Sequence, residues 1–206
     1  MEPDWLKWAK HLAAVSQNGL TYAEDVYDIE RYETIRQIAA EMISARTDLG
    51  TDALLTIFAK EDGYATPKVD VRGVVFRDDR ILLVKERIDN GWTLPGGWAD
   101  PCKSPSENVV REIYEESGFE TQAQKLLAVY DRSKHPHKPL MPFHIYKLFF
   151  LCEITGGSPQ TSHETTAVGF FAEDQIPELS VSRILPHQIV RMFEHYRNPD
   201  LPPDFD

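Results

Sequence analysis

Basic residues and cysteines are both scarce in this 206-residue chain. Lys and Arg number 22 against 33 Asp and Glu, for a formal net charge of -11. That deficit argues against broad binding to nucleic acid or anionic membranes, which needs basic surface. It leaves room for a phosphate-bearing substrate bridged by a divalent cation. The two cysteines, Cys102 and Cys152, lie far apart in sequence. Two free thiols in a reducing compartment is a simpler reading than a disulfide. No run of 18 apolar residues occurs, so no spanning helix is expected. The opening "MEPDWLKWAK" starts acidic and lacks an apolar h-region. It does not read as a signal peptide, and a cytoplasmic location follows. Internal repeats and low-complexity tracts are also missing. What remains is a chain 42% hydrophobic and 27% charged, normal for a soluble protein with a real core. Its length suits one large domain or two small ones.

The first 60 residues read as helix. Trp5, Leu6, Trp8, Ala9, Leu12 and Val15 recur near helical spacing, and "NGLT" is expected to break that helix, with Gly19 as its stop and Thr21 as the next N-cap. Ile29, Tyr32, Ile35, Ile38, Ala39 and Met42 mark a second helix, and "DALLTIFAK" a short third. The connecting "EDGYATPK" holds Gly63 and Pro67. The expected boundaries are a helical domain over 1–62, a linker over 63–68 and a mixed α/β domain over 69–206.

Beyond the linker the period changes. "VDVRGVVF", the turn "RDDR" and "ILLVKE" read as a hairpin. "NGWTLPGGW" is a strand end running into a glycine turn. "SPSENVVREIYEES" is a helix with Ser104 as N-cap, Pro105 in the first turn and Gly118 as its stop. Its apolar face is Val109, Val110, Ile113 and Tyr114, with the glutamates mostly opposite. "KLLAVYDR", "HIYKLFFLCEI" and "AVGFF" read as strands, and "RILPHQIVRMFEHY" as a C-terminal helix.

Within that first α/β-domain helix, "REIYEESGF" places Glu112, Glu115 and Glu116 at i, i+3 and i+4. Like charges at those spacings destabilise a helix by roughly 0.2–0.5 kcal/mol per pair. A bound cation would offset that cost. The longer stretch "GGWADPCKSPSENVVREIYEESGF" resembles the Nudix box, G-x5-E-x7-R-E-U-x-E-E-x-G-U with U apolar. Gly97 matches its opening, and Arg111, Glu112, Ile113, Glu115, Glu116, Gly118 and Phe119 match its second half. Lys103 departs from it, standing where the pattern has glutamate. The helical region with "GLTYAEDVYDIERYETIR", joined to "SPSENVVRE", is similar to a bacterial Nudix subgroup of CDP-choline and ADP-ribose pyrophosphatases.

The resemblance implies an α+β fold, a Nudix α/β/α sandwich with a mixed sheet, preceded by a small all-α domain. It implies hydrolysis of nucleoside diphosphates linked to X, with Mg²⁺ or Mn²⁺ as cofactor. Glu112, Glu115, Glu116 and the Gly96 carbonyl match the metal ligands. Arg111 and Gly97 match orienting positions. Glu116 and Glu164, the latter in the long loop "SHETT", are the competing candidates for the general base. Arg72 and Arg87 are expected to meet phosphates. Trp5, Trp8, Tyr22, Tyr27 and Tyr32 are expected mainly in the helical core, with Tyr22 and Tyr27 the better ligand contacts. So small a helical domain buries little by itself, so a homodimer is expected. The "KHPHKP" segment reads as a rim loop without metal ligands. Two alternatives stay open. One is a hydrolase acting on RNA or nucleotide 5′ ends. The other is a Nudix-fold ligand-sensing regulator, disfavoured by the intact glutamates and the absence of a basic helical domain.

Overall fold

The computed structural model describes residues 2–206. The chain divides into two compact units. One is the chain up to Pro67 together with Leu140–His144, and the other spans Lys68–Pro139 and Ile145–Asp206.

The first unit holds α1 (Asp4–Tyr22), α2 (Val26–Ser44) and α3 (Thr51–Ala59). Its core is Leu6, Ala9, Ala39, Ala40, Ile43, Leu54 and Phe58, with Leu140 packed against it. Gly19 does not stop α1; the helix runs through it to Tyr22. A Cβ at Gly19 would lie 2.3 Å from the Tyr32 ring. The glycine is there so that α1 and α2 can approach closely. Thr21 is likewise no N-cap. Its hydroxyl donates to the Gln17 and Gly63 carbonyls, and Asp25 caps α2 by accepting from the Tyr27 and Asp28 amides. The expected aromatic core is only partly realised. Trp5 packs against the core, but Trp8, Tyr22 and Tyr27 are exposed, as are Val15, Val26 and Ile38.

The second unit is an α/β/α sandwich. β1 (Lys68–Arg77) turns through Asp78 and Asp79 into β2 (Arg80–Glu86). Both turn residues have positive φ, 51° and 57°, the left-handed pair that a two-residue hairpin loop requires and that Asp tolerates. β3 (Trp92–Thr93) and β6 (Thr165–Phe171) pair antiparallel with β2. β5 (Ile145–Gly157) runs parallel to β1, and β4 (Phe119–Asp131) antiparallel to β5. The mixed sheet ends at β7 (Asp204–Phe205), a strand with no sequence forecast, parallel to β4.

Alternating strand residues feed two cores. Val74, Ile81, Leu83 and Phe149 pack under α5 (Pro186–Arg197) with Ile189, Met192 and Phe193. Val71, Val75, Leu82 and Cys152 pack under α4 (Pro105–Ser117) with Val109 and Ile113. Gly73 lets α4 lie against β1, because a Cβ there would be 2.5 Å from Ile113. Ser104 and Glu107 form a capping box at the start of α4, and Gly118 ends it at φ 76°. Both caps are as the sequence indicates, and together they fix which α4 residues face the sheet.

Candidate active site

The segment following β3 runs back along β1. Val71 N–H donates to the Gly97 carbonyl, Gly73 N–H to Pro95 and Ala99 N–H to Val69. This brings Gly96 and Gly97 over the side of α4 that carries Glu112 and Glu116. Gly96 adopts φ +143°, and a Cβ there would lie 2.0 Å from the Val71 carbonyl oxygen. Only glycine fits. Its N–H donates to Glu116 Oε2 at 2.9 Å. At Gly97 a Cβ would fall 2.9 Å from Glu112 Oε2. The glycine pair is therefore a cradle for two carboxylates.

Glu116 does not lie opposite the apolar face as the helical pattern suggests; it is 5% exposed. Burial pushes its pKa from 4.5 up to about 8, and the charges of Glu86 and Glu112 add to this against the pull of Arg72 and the Gly96 amide. Burial also raises Glu112, whose carboxylate accepts from Arg111 Nη2 at 2.8 Å. Glu115 is exposed and paired with Arg111 Nη1 at 2.7 Å. Arg111 thus ties two box glutamates together, and its Nη2 also lies 3.0 Å from Asp100.

That last contact bears on Lys103. The loop carboxylate that meets Arg111 comes from Asp100, with Lys103 3.8 Å away on the same oxygen. Buried Asn108 completes the loop by bonding the Asp100 amide and the Asp100, Lys103 and Ser104 carbonyls. The loop is held without a glutamate at position 103.

The loop over 158–164 closes toward the same carboxylates. Thr165 Oγ1 donates to the Glu116 carbonyl at 2.9 Å. Arg87 donates from its backbone to the Glu164 carbonyl and from Nε to His163, both at 2.9 Å. Arg87, expected at a phosphate, also holds this loop. Glu164 itself is exposed, 3.1 Å from His163 Nε2, and its charge acts on Glu86 and Glu112.

Arg72, expected to meet a phosphate, lies inside the fold. Its fork is bidentate to Asp70 at 2.8 and 2.7 Å, Nη1 donates to the Leu94 carbonyl, and the residue is 4% exposed. Lys147 joins the same carboxylate at 2.6 Å. Burial alone would raise Asp70, but these two cations hold it at about 2. The guanidinium is thus buried with its fork on Asp70, and its charge bears on Glu86, Glu112 and Glu116.

Glu86 was missed by the sequence reading. It sits at the end of β2, buried, opposite Thr165 of β6. Burial raises its pKa, while Arg183, whose Nε is 3.0 Å away, and Arg72 pull it down. The available signal was its i+4 relation to Leu82 and i+2 relation to Val84, which turns it inward with them. Asp70 and Arg72, two apart in β1, carried the same kind of signal.

The donor set suits a hard divalent cation. Several carboxylates are partly desolvated and held at raised pKa, a cost that a cation would offset. Among the described residues no three Asp, Glu, His or Cys side chains converge into a complete cage. Mg²⁺ needs none, since it usually takes one or two carboxylates plus waters and substrate phosphates.

Residues 66–191 match the NUDIX domain, and residues 3–58 match the UDP-X-like N-terminal oligomerisation domain of Nudix proteins. The YjhB protein of Bacillus subtilis (strain 168), named provisionally as an ADP-ribose pyrophosphatase, is 44% identical over 206 residues, covering 100% of this chain and 99% of its own. A crystal structure of a UDP-X diphosphatase is 34% identical, with 98% of each chain covered and a TM-score of 0.65. An ADP-ribose pyrophosphatase from Streptococcus suis 89-1591 is 39% identical, covering 68% of this chain and 100% of its own, with a TM-score of 0.63. With the box glycines cradling its glutamates and both family domains in place along its length, this chain is a member of the Nudix hydrolase family.

Proposed function

We propose that the protein hydrolyses the pyrophosphate bond of nucleoside diphosphates linked to X, of the ADP-ribose or CDP-choline type, giving a nucleoside monophosphate and phospho-X. The observation that carries this reading is the desolvated carboxylate set of Glu86, Glu112 and Glu116 around the Gly96 and Gly97 turn. The names of the UDP-X and ADP-ribose relatives favour the same substrate class.

Glu112, Glu115, Glu116 and the Gly96 carbonyl would hold Mg²⁺ or Mn²⁺. Such a cation neutralises phosphate oxygens and lowers the pKa of bound water. Arg111 orients Glu112 and Glu115 through its paired contacts. Glu164 is our assignment for accepting the proton of the attacking water, because it faces solvent on a loop anchored to Glu116 through Thr165. Glu116 is the competing acceptor, but its carboxylate already takes the Gly96 amide. The buried Arg72 lends positive charge beneath these carboxylates.

The helical unit, our domain 1–62, is proposed to form a homodimer. Its exposed Trp8, Val15, Tyr22, Val26, Tyr27 and Ile38 would be covered by a second copy. No helix among the described residues is long and apolar enough to cross a membrane, and we place the enzyme in the cytoplasm. The test is a panel of nucleoside diphosphate compounds with Mg²⁺ or Mn²⁺, with products identified by chromatography. Hydrolysis of nucleoside triphosphates at least as efficient as that of ADP-ribose and CDP-choline, with pyrophosphate released, refutes the assignment.

A further inference from the structure

The turn over 180–183, leading into α5, is held from several sides. Ser180 N–H donates to the Trp92 carbonyl at 2.8 Å, and Ser180 Oγ to Asp89 Oδ2 at 2.7 Å. His137 Nδ1 bonds the Val181 carbonyl at 3.0 Å. A carbonyl only accepts, so that nitrogen carries the proton. Arg132 Nη2 reaches the Ser182 carbonyl at 3.4 Å. Gly91 completes the packing, since a Cβ there would lie 2.6 Å from the Ser180 amide.

This rigid turn presents Arg183. Its Nε is 3.0 Å from Glu86 Oε1. Its Nη1 donates to Asp89, Ser180 and Ser182 at 3.2, 3.0 and 3.2 Å. The remaining corner of the fork, Nη2, takes part in none of these bonds, and the side chain is 24% exposed. Glu86 in turn lies opposite Thr165 in the β2–β6 register, and Thr165 bonds the Glu116 backbone. Arg183 is thus one carboxylate away from the Nudix glutamates. A guanidinium fixed on two edges and open on the third has lost its rotamer freedom before any ligand arrives, and its planar donors match phosphate oxygens. Arg72 and Arg111 offer no such corner. Arg72 is buried, and both terminal nitrogens of Arg111 are already paired with carboxylates.

We propose that Arg183 binds the substrate phosphate farther from the Nudix glutamates through Nη2, with Glu86 and Asp89 as positioning residues. Together with the carboxylate face, this separates the recognition of the two phosphates. One is taken through the cation-binding side and the other by a preset arginine held on Glu86. The inference rests on the nucleoside diphosphate reading above.

The experiment compares wild type, Arg183→Gln and Arg183→Lys. KM and kcat are read on ADP-ribose with Mg²⁺, and affinity for inorganic pyrophosphate by calorimetry on chelator-treated protein. The expected result is a KM at least tenfold higher in both variants, a smaller change in kcat, and pyrophosphate affinity weakened tenfold or more. Lysine restores the charge and a contact to Glu86 but lacks the second donor edge, so it rescues folding without rescuing KM. KM and pyrophosphate affinity within twofold of wild type in a folded variant overturn the proposal. So does failure of both variants to fold, which would make Arg183 a structural pin. If wild type turns over no nucleoside diphosphate compound, the substrate reading has failed. The pyrophosphate titration then still decides whether Arg183 receives an anion.

Discussion

Glu116→Gln tests the site at its most strained point. The wild-type carboxyl has a native pKa of about 8 against 4.5 in ordinary exposure. Its native value is raised, so the native state binds the proton more tightly than the unfolded chain. Stability linked to this group is therefore fully present below pH 4.5 and is lost as pH rises toward 8. At pH 7 the native group is still mostly protonated while the unfolded one is ionised, a cost of about 3 kcal/mol. Glutamine keeps an oxygen to accept the Gly96 amide and has no charge to desolvate. In chelator-treated protein at pH 7 the variant should be the more stable by up to ~3 kcal/mol. That is roughly 6–12 °C in melting temperature for a chain of this size. Mg²⁺ should raise the wild-type melting temperature and leave the variant's unchanged, and turnover should fall by several orders of magnitude. Calorimetric scans with and without Mg²⁺, alongside product assays, read all three effects. A variant that melts lower than wild type without metal refutes the electrostatic argument. One that keeps near wild-type turnover refutes the site assignment.

Gly97→Ala places a Cβ 2.9 Å from the Glu112 carboxylate tip. The tip can swing, so the melt should move by only about 1 kcal/mol while activity drops tenfold or more in a steady-state assay. Asp70→Asn leaves Arg72 and Lys147 buried without their carboxylate. It should cost about 3–5 kcal/mol in urea unfolding. Wild-type Asp70 is held at about 2, so its stabilisation is present above pH 3.8 and lost as pH falls from there toward 2; an acid titration of the two proteins should show their difference shrinking over that window. Lys103→Glu should change kcat/KM by less than tenfold, because Asp100 and Asn108 already hold the loop; a gain of a hundredfold or more would mark the natural protein as a crippled enzyme and favour ligand sensing. Removal of residues 1–66 takes away the core that Leu140 packs against and should give a less soluble monomer by light scattering; a stable, fully active dimer would rule out the intersubunit role.

The sequence by itself determined most of the elements and the carboxylate pattern of helix α4. Helix α4 is specified within its own thirteen residues and their flanks: a capping box at one end, a left-handed glycine at the other, and apolar residues at helical spacing between. The hairpin turn of two aspartates is equally local. Such features were legible because they depend on residues a few positions apart. Pairings across long separations were not. Gly19 looks like a helix stop until Tyr32 is brought against it. Asp70 and Arg72 stand two apart in one strand, but Lys147, 77 positions on in the parallel neighbour, joins the same carboxylate only in the fold. Glu116 shares a helix with Glu115, yet one is buried and the other exposed. Only the position of the glycine turn and the sheet over that helix separates them. Glu86, Asp89 and Arg183 lie up to 97 positions apart, 86 to 183, and carry no joint motif. Their association exists because β2 and the turn before α5 pack together. Local sequence sets which backbone conformations are accessible, whereas burial and charge pairing are properties of neighbours that only the folded chain supplies.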